Sequence, residues 1–125
     1  MLVEVKDVRQ IPNEGFRRWF RDEYFDVIVW YTDEEQNVVD GFQLCYDKGR
    51  DEHAVTWNRD YSFRHHKIDD GEVPGEAKRT PVLIQDGVFP KDPVLTRFEE
   101  ASSDIDEEIR NLVLEKMSEI PDHLL

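Results

Sequence analysis

Three short segments in the middle of the chain constrain its fold more than anything else in it. Phe42-Gln43-Leu44-Cys45-Tyr46, His53-Ala54-Val55-Thr56-Trp57 and Tyr61-Ser62-Phe63-Arg64-His65 each place a large apolar or aromatic group on every second residue. A period of two is that of a β-strand with one buried face. Short polar stretches join the three segments, so they are expected to pair as antiparallel neighbours. A register that keeps the large groups together gives three cross-strand rows: Phe42–Trp57–Tyr61, Leu44–Val55–Phe63 and Tyr46–His53–His65. The first two rows are plain core. The third puts two imidazoles beside a phenol at one edge of the same face.

Other strands extend this pattern. Phe25 to Thr32 is apolar on both parities, with Phe25, Val27, Val29 and Tyr31 on one face and Ile28 and Trp30 on the other. Such a strand is expected at the centre of a sheet, covered on both sides. Val3-Glu4-Val5-Lys6 alternates and reads as a short strand. Phe16-Arg17-Arg18-Trp19-Phe20, after the turn Pro12-Asn13-Glu14-Gly15, fits two readings: Phe16, Trp19 and Phe20 suit a helix, while the aromatics suit a strand, which is the reading preferred. Asp33 to Asn37 is a hairpin loop, as is Asp47 to Asp51, where Gly49 is free to take a positive φ. Asp70 to Pro81 has no periodic pattern and is expected to be a mobile loop or a crossing to the far edge of the sheet. Val82-Leu83-Ile84 is a short, buried strand closed by Asp86-Gly87.

The C-terminal region has the period of a helix. Asp92 is a candidate N-cap with Pro93 behind it, and Ser102 or Ser103 a candidate cap for a second helix. Ile105, Ile109, Leu112, Val113, Met117 and Ile120 recur at three- and four-residue steps as one apolar stripe, which Pro121 ends. The expected fold is α+β: an antiparallel meander of about five to six strands with a C-terminal amphipathic helix packed on one face. One domain is expected over residues 1–125, with the sheet at about 2–86 and the C-terminal helices at about 93–120. The expected core includes Val27, Val29, Leu44, Val55, Phe63 and Ile84.

Charge narrows the partners. The 125 residues carry a net charge of −13, and Glu99 to Leu125 alone holds nine acidic residues against Arg110 and Lys116. Most of these acids suit the solvated face and the N-terminus of the final helix, where the helix dipole favours negative charge. An acidic surface repels phosphate backbones and anionic lipid, so neither general nucleic-acid binding nor membrane binding is expected. Cys45 is the only cysteine. It excludes an intrachain disulfide and, with no signal-peptide pattern at the start, suggests a cytoplasmic protein. The longest apolar run, Val27 to Tyr31, is far short of a membrane span.

Several clusters carry chemical potential. Tyr46, His53 and His65, with Trp57 beside them, are the ligand-binding candidates. Two close imidazoles can share a metal or trade a proton near neutral pH. For a metal, Asp47, Asp51 or Glu52 would have to add a carboxylate; the identity of any metal is left unknown. The plainer alternative is a hydrogen-bonded His pair at the rim of an aromatic core. Arg64 and His66 share the opposite face and are the anion-binding candidates; the plainer alternative is charge balance. Asp69-Asp70-Gly71-Glu72 is dense in carboxylates but lacks the spacing of a calcium loop. Cys45 points away from Tyr46 and His53 and has no activating charge near it. No phosphate loop, nucleophile elbow or dinucleotide fingerprint is present. No cofactor is expected and no catalytic residue is assigned.

Two functions from different classes follow. The first is a small binding or interaction module that uses an aromatic sheet face, with a homodimer or a protein partner covering the face the helix leaves free. The second is a small metal-assisted or acid–base hydrolase, with Tyr46, His53, His65 and Trp57 lining a pocket under the Asp70–Pro81 loop. The first is favoured because the plainer alternative accounts for each chemical cluster.

Overall fold

A computed structural model describes residues 1–10, 15–32, 38–60, 62–69, 82–85 and 89–120, without the side chains of 62, 69 and 82–85. The elements are β1 (Val3–Glu4), β2 (Phe16–Arg21), β3 (Asp26–Tyr31), β4 (Val39–Tyr46), β5 (His53–Asn58), β6 (Ser62–Asp69), β7 (Val82–Gln85), α1 (Lys91–Ala101) and α2 (Glu107–Ser118). The strands pair antiparallel in sequence order, β1-β2-β3-β4-β5-β6-β7. β1 is a two-residue pairing at one edge, so six strands carry the sheet. This is the α+β meander that the alternating pattern implies. The expectations placed on Pro12 to Glu14, Asp33 to Asn37, Tyr61, Asp70 to Pro81, Asp86-Gly87 and Pro121, and on the side chain of Ile84, lie outside the described residues.

The central register is Phe42↔Trp57, Leu44↔Val55 and Tyr46↔His53 between β4 and β5. Between β5 and β6 the rows expected from sequence are shifted by two residues. Trp57 faces Phe63, Val55 faces His65, and His53 faces Lys67. The turn explains the shift. Asn58 stays in the strand opposite Ser62, and its side chain accepts a 2.8 Å bond from the Asp60 amide. That Asx-turn holds Asn58 at the turn's first position, so the loop begins one residue later than expected. A slip of two conserves the faces, where a slip of one would exchange them.

One face is covered by the helices. Phe20, Val27, Val29, Phe42, Leu44 and Val55 form its floor, with Phe89, Val94, Phe98, Ile109, Val113, Met117 and Ile120 packed on top. Val27, Val29, Leu44 and Val55 are fully buried, and Phe63 packs on this core half-buried. Phe25 meets Phe98 edge-on at 5.9 Å, which locks α1 to the β2–β3 corner. Within that corner Asp22 accepts from the amides of Tyr24 and Phe25 and fixes the turn.

The helix starts differ from the expected caps. α1 begins at Lys91 after Pro90, and Asp92 makes no capping bond. Phe89, buried in the core, anchors the chain just before the helix, so Asp92 and Pro93 fall inside the first turn. Pro93 is tolerated there because the first amides have no intrahelical acceptor. α2 is capped by Asp106, which accepts from Glu108 at 2.9 Å, and not by Ser102 or Ser103. Ser102 is buried at the end of α1 and accepts from Arg110. Arg18 on β2 joins Glu4 and Asp106, tying the sheet edge to the start of α2. Leu112 is half-buried beside a stripe whose buried members are Ile109, Val113, Met117 and Ile120. Among the described residues, no helix is long and apolar enough to cross a membrane.

Candidate functional site

Tyr46, His53 and His65 come from β4, β5 and β6 and share the helix-covered face. The shifted register makes His65 a diagonal neighbour of His53 rather than its direct partner, still within reach of an aromatic side chain. The rings stack: Tyr46 on His53 at 5.9 Å, Tyr46 on His65 at 6.0 Å, and His53 on His65 at 5.2 Å. Phe89 closes the stack from the helix side, 5.8 Å from Tyr46 and 5.6 Å from His65.

Hydrogen bonds fix the rings. The Tyr46 hydroxyl lies 2.6 Å from His65 Nε2. His53 Nδ1 lies 2.8 Å from the carbonyl of Asp51. A carbonyl only accepts, so His53 carries a proton on Nδ1. Exposure of 4 % for Tyr46, 9 % for His53 and 3 % for His65 makes this a polar network inside the core. Trp57 is not part of it. Trp57 packs on Phe42 at the far end of the face, with the Lys116 ammonium 4.8 Å over its ring. Phe42 and Tyr46 are separated by about 13 Å of strand. Among the described residues, no three His, Cys, Asp or Glu side chains are grouped to hold a metal ion.

The opposite face of the sheet is turned away from the helices. By register it carries Arg17, Trp19 and Arg21 on β2, Asp26, Ile28 and Trp30 on β3, Gln43 and Cys45 on β4, Ala54 and Thr56 on β5, and Arg64 and His66 on β6. Part of it is covered by the N-terminal segment, where Val5, Val8, Arg17, Trp19 and Ile28 line an apolar cleft of about 220 Å³. Gln10 seals the β2 edge beside that cleft: its side-chain amide donates to the Arg17 carbonyl and accepts from the Arg17 amide, as a paired strand would. Trp30, Gln43 and His66 are half-buried and Arg64 is exposed.

Arg64 and His66 do share this face, and Thr56 joins them. Thr56 is opposite Arg64, and His66 is the next same-face residue along β6, opposite Ala54. Burial and, after it, the Arg64 charge hold the His66 imidazole below its ordinary pKa. Burial also pushes the Cys45 thiol up to about 12, with Glu52 and Asp26 adding to the rise. A thiol held so firmly protonated is not a nucleophile. Thr56 and Phe89 are the residues whose importance the sequence does not display. Thr56 reads as one polar residue in a strand, and Phe89 as an aromatic between two elements.

Comparison of the chain with protein-family models, with curated proteins and with solved structures returned no match.

Proposed function

We propose that the chain is a non-catalytic binding module that meets a protein partner through the sheet face turned away from the helices. One observation carries this reading. Among the described residues, three buried side-chain polar atoms lack a hydrogen-bond partner: Arg17 Nε, Thr56 Oγ1 and His66 Nδ1. All three belong to that face. A buried polar atom without a partner costs roughly 1–3 kcal/mol, and native folds keep few of them. Three on one face, beside the half-buried Trp30 and Ile28, fit a surface that completes its bonding with another molecule. A second copy of the chain is one such molecule, and a cytoplasmic setting fits the single buried cysteine. The acidic surplus argues against nucleic acid as the partner.

Acid–base hydrolysis has less support. Tyr46, His53 and His65 engage one another and are buried, and Phe89 packs on Tyr46 and His65. A photo-crosslinking residue placed in turn at Trp30, Gln43 and, as a control, Glu115 on the outer side of α2 tests the proposal. Crosslinks to one defined species, from the two sheet positions and not from Glu115, are expected. Equal yields from both surfaces would refute it.

A further inference from the structure

The N-terminal segment crosses β2 and β3 as a strap, and a cleft of about 220 Å³ lies between its residues and those of the two strands. The strap is tied at both ends. The Val5 amide donates to the Trp19 carbonyl at 2.8 Å. Gln10 bonds the backbone of Arg17, and the Arg17 guanidinium donates to the Arg9 carbonyl. The sheet side is tied as well: Trp19 Nε1 donates to Asp26 at 3.2 Å, and the Arg21 guanidinium stands 5.2 Å over the Trp19 ring. A cleft held on both sides is pre-formed, so little ordering is needed when a ligand enters it.

Its walls are Val5, Val8, Trp19 and Ile28, each half-buried. A dry apolar cavity of about 150 Å³ holds one benzene, so this one has room for a single ring or a branched aliphatic group. Drug-sized ligands need roughly 300 Å³ or more. Asp7 and Arg9 line the same cleft, and both are exposed. Among the described residues, neither side chain has a hydrogen-bond or ion-pair partner. Asp7 turns the strap in the left-handed region, at φ 58°, which aspartate and asparagine tolerate. An apolar slot with one free carboxylate and one free guanidinium suits a molecule that carries an ammonium, a carboxylate and an apolar group together. A fatty acid would bring its carboxylate to Asp7 as well as to Arg9, and an apolar amine would bring its ammonium to Arg9. A zwitterion answers both signs. It also has no net charge, so the long-range field of a chain at −13 does not repel it.

We propose that this cleft binds a free amino acid with an apolar side chain. The side chain lies against Val5, Val8, Trp19 and Ile28, the ammonium meets Asp7 and the carboxylate meets Arg9. This site is independent of a protein contact at Trp30 and Gln43.

Calorimetric titration of the full chain with L-leucine and with L-phenylalanine tests the proposal. Saturable binding of at least one of them at millimolar concentration or below is expected, with a change in tryptophan fluorescence that Trp19→Phe abolishes. Glycine lacks the apolar group, and N-acetyl-leucinamide lacks both charges; each should bind at least ten-fold more weakly. Asp7→Asn keeps the left-handed turn and removes the charge, and Arg9→Gln removes the guanidinium. Each should weaken binding ten-fold or more. Both side chains are exposed, so Tm should stay where it is. Absence of saturation with both amino acids would overturn the proposal. So would equal binding of N-acetyl-leucinamide, which would make the cleft a plain apolar slot for a polypeptide side chain. Unchanged binding in either charge variant would overturn it too.

Discussion

The two faces of this sheet are made by the same strands and treat polarity in opposite ways. On the helix-covered face the polar groups answer one another. Tyr46 meets His65, His53 meets the Asp51 carbonyl, and Phe89 packs on Tyr46 and His65. On the opposite face Arg17, Thr56 and His66 each keep a buried atom without a partner. On the first face, among the described residues, no buried side-chain polar atom lacks a partner. The second is apolar at Ile28, Trp30 and Ala54 but retains bonding capacity that the described residues do not use. A cluster that looks catalytic in sequence, two histidines and a tyrosine, is buried and bonded within itself. The face with the plainer residues is the one that, among the described residues, keeps buried polar atoms without a hydrogen-bond partner. Titratable side chains mark a site only when something outside the fold can reach them.

The comparison can be broken most severely at the helix layer. Phe98→Ala, at the junction of α1 with Phe25, is expected to lose about 3–5 kcal/mol in urea unfolding. A loss under about 1 kcal/mol would mean that the helices do not cover that face. Leu112→Ala, at the half-buried margin of α2, should lose clearly less than Phe98→Ala in the same experiment.

Next comes the ring network. Tyr46→Phe removes the hydroxyl that meets His65 Nε2 and is expected to destabilise by roughly 1–3 kcal/mol, because a buried nitrogen loses a partner. An unchanged midpoint would show that the ring stack, and not the hydrogen bond, orders this part of the core.

Asp106→Ala tests the link between the faces' common edge and α2. Loss of the N-cap should cost about 1 kcal/mol. The bond from the Glu108 amide, and then Arg18, hold the Asp106 carboxylate below its ordinary pKa. Its folded-state pKa is depressed, so its contribution is present above the unfolded value and is lost as pH falls through the folded one. Acid titration of stability should show that component in the native chain and not in Asp106→Ala.

The smallest effects belong to the second face. Thr56→Val should change stability by less than about 0.5 kcal/mol or raise it, since a methyl group replaces an unpaired hydroxyl. His66 should add a weak pH dependence. Its folded-state pKa lies below the unfolded one, so no penalty exists above roughly pH 6.5. As pH falls below that value the unfolded chain takes the proton first, and stability declines until the folded-state value is passed. His66→Gln should remove this segment of the titration. A profile identical to the native one would mean that His66 is not desolvated.

The sequence by itself determined the strands, their antiparallel order and which residues share a face. These follow from period two and from short polar loops, and parity survives a shift of register by two. Phe42, Leu44, Val55, His53, His65 and His66 thus sit on the faces that alternation assigns them. The buried members of α2 likewise follow from helical spacing, with Leu112 displaced to the margin because a stripe names a direction and not a depth. Tertiary structure decided the rest. Asn58 chose the β5–β6 register through one side-chain bond to Asp60, which no hydrophobic pattern records. Phe89, distant in sequence from Tyr46 and His65, packs on both rings only in the folded chain. Thr56 and His66 became neighbours with unmatched atoms only when two strands were laid side by side. A sequence states which groups a chain carries, but hydrogen-bond satisfaction is a property of pairs. Pairs between distant residues exist only in the folded molecule.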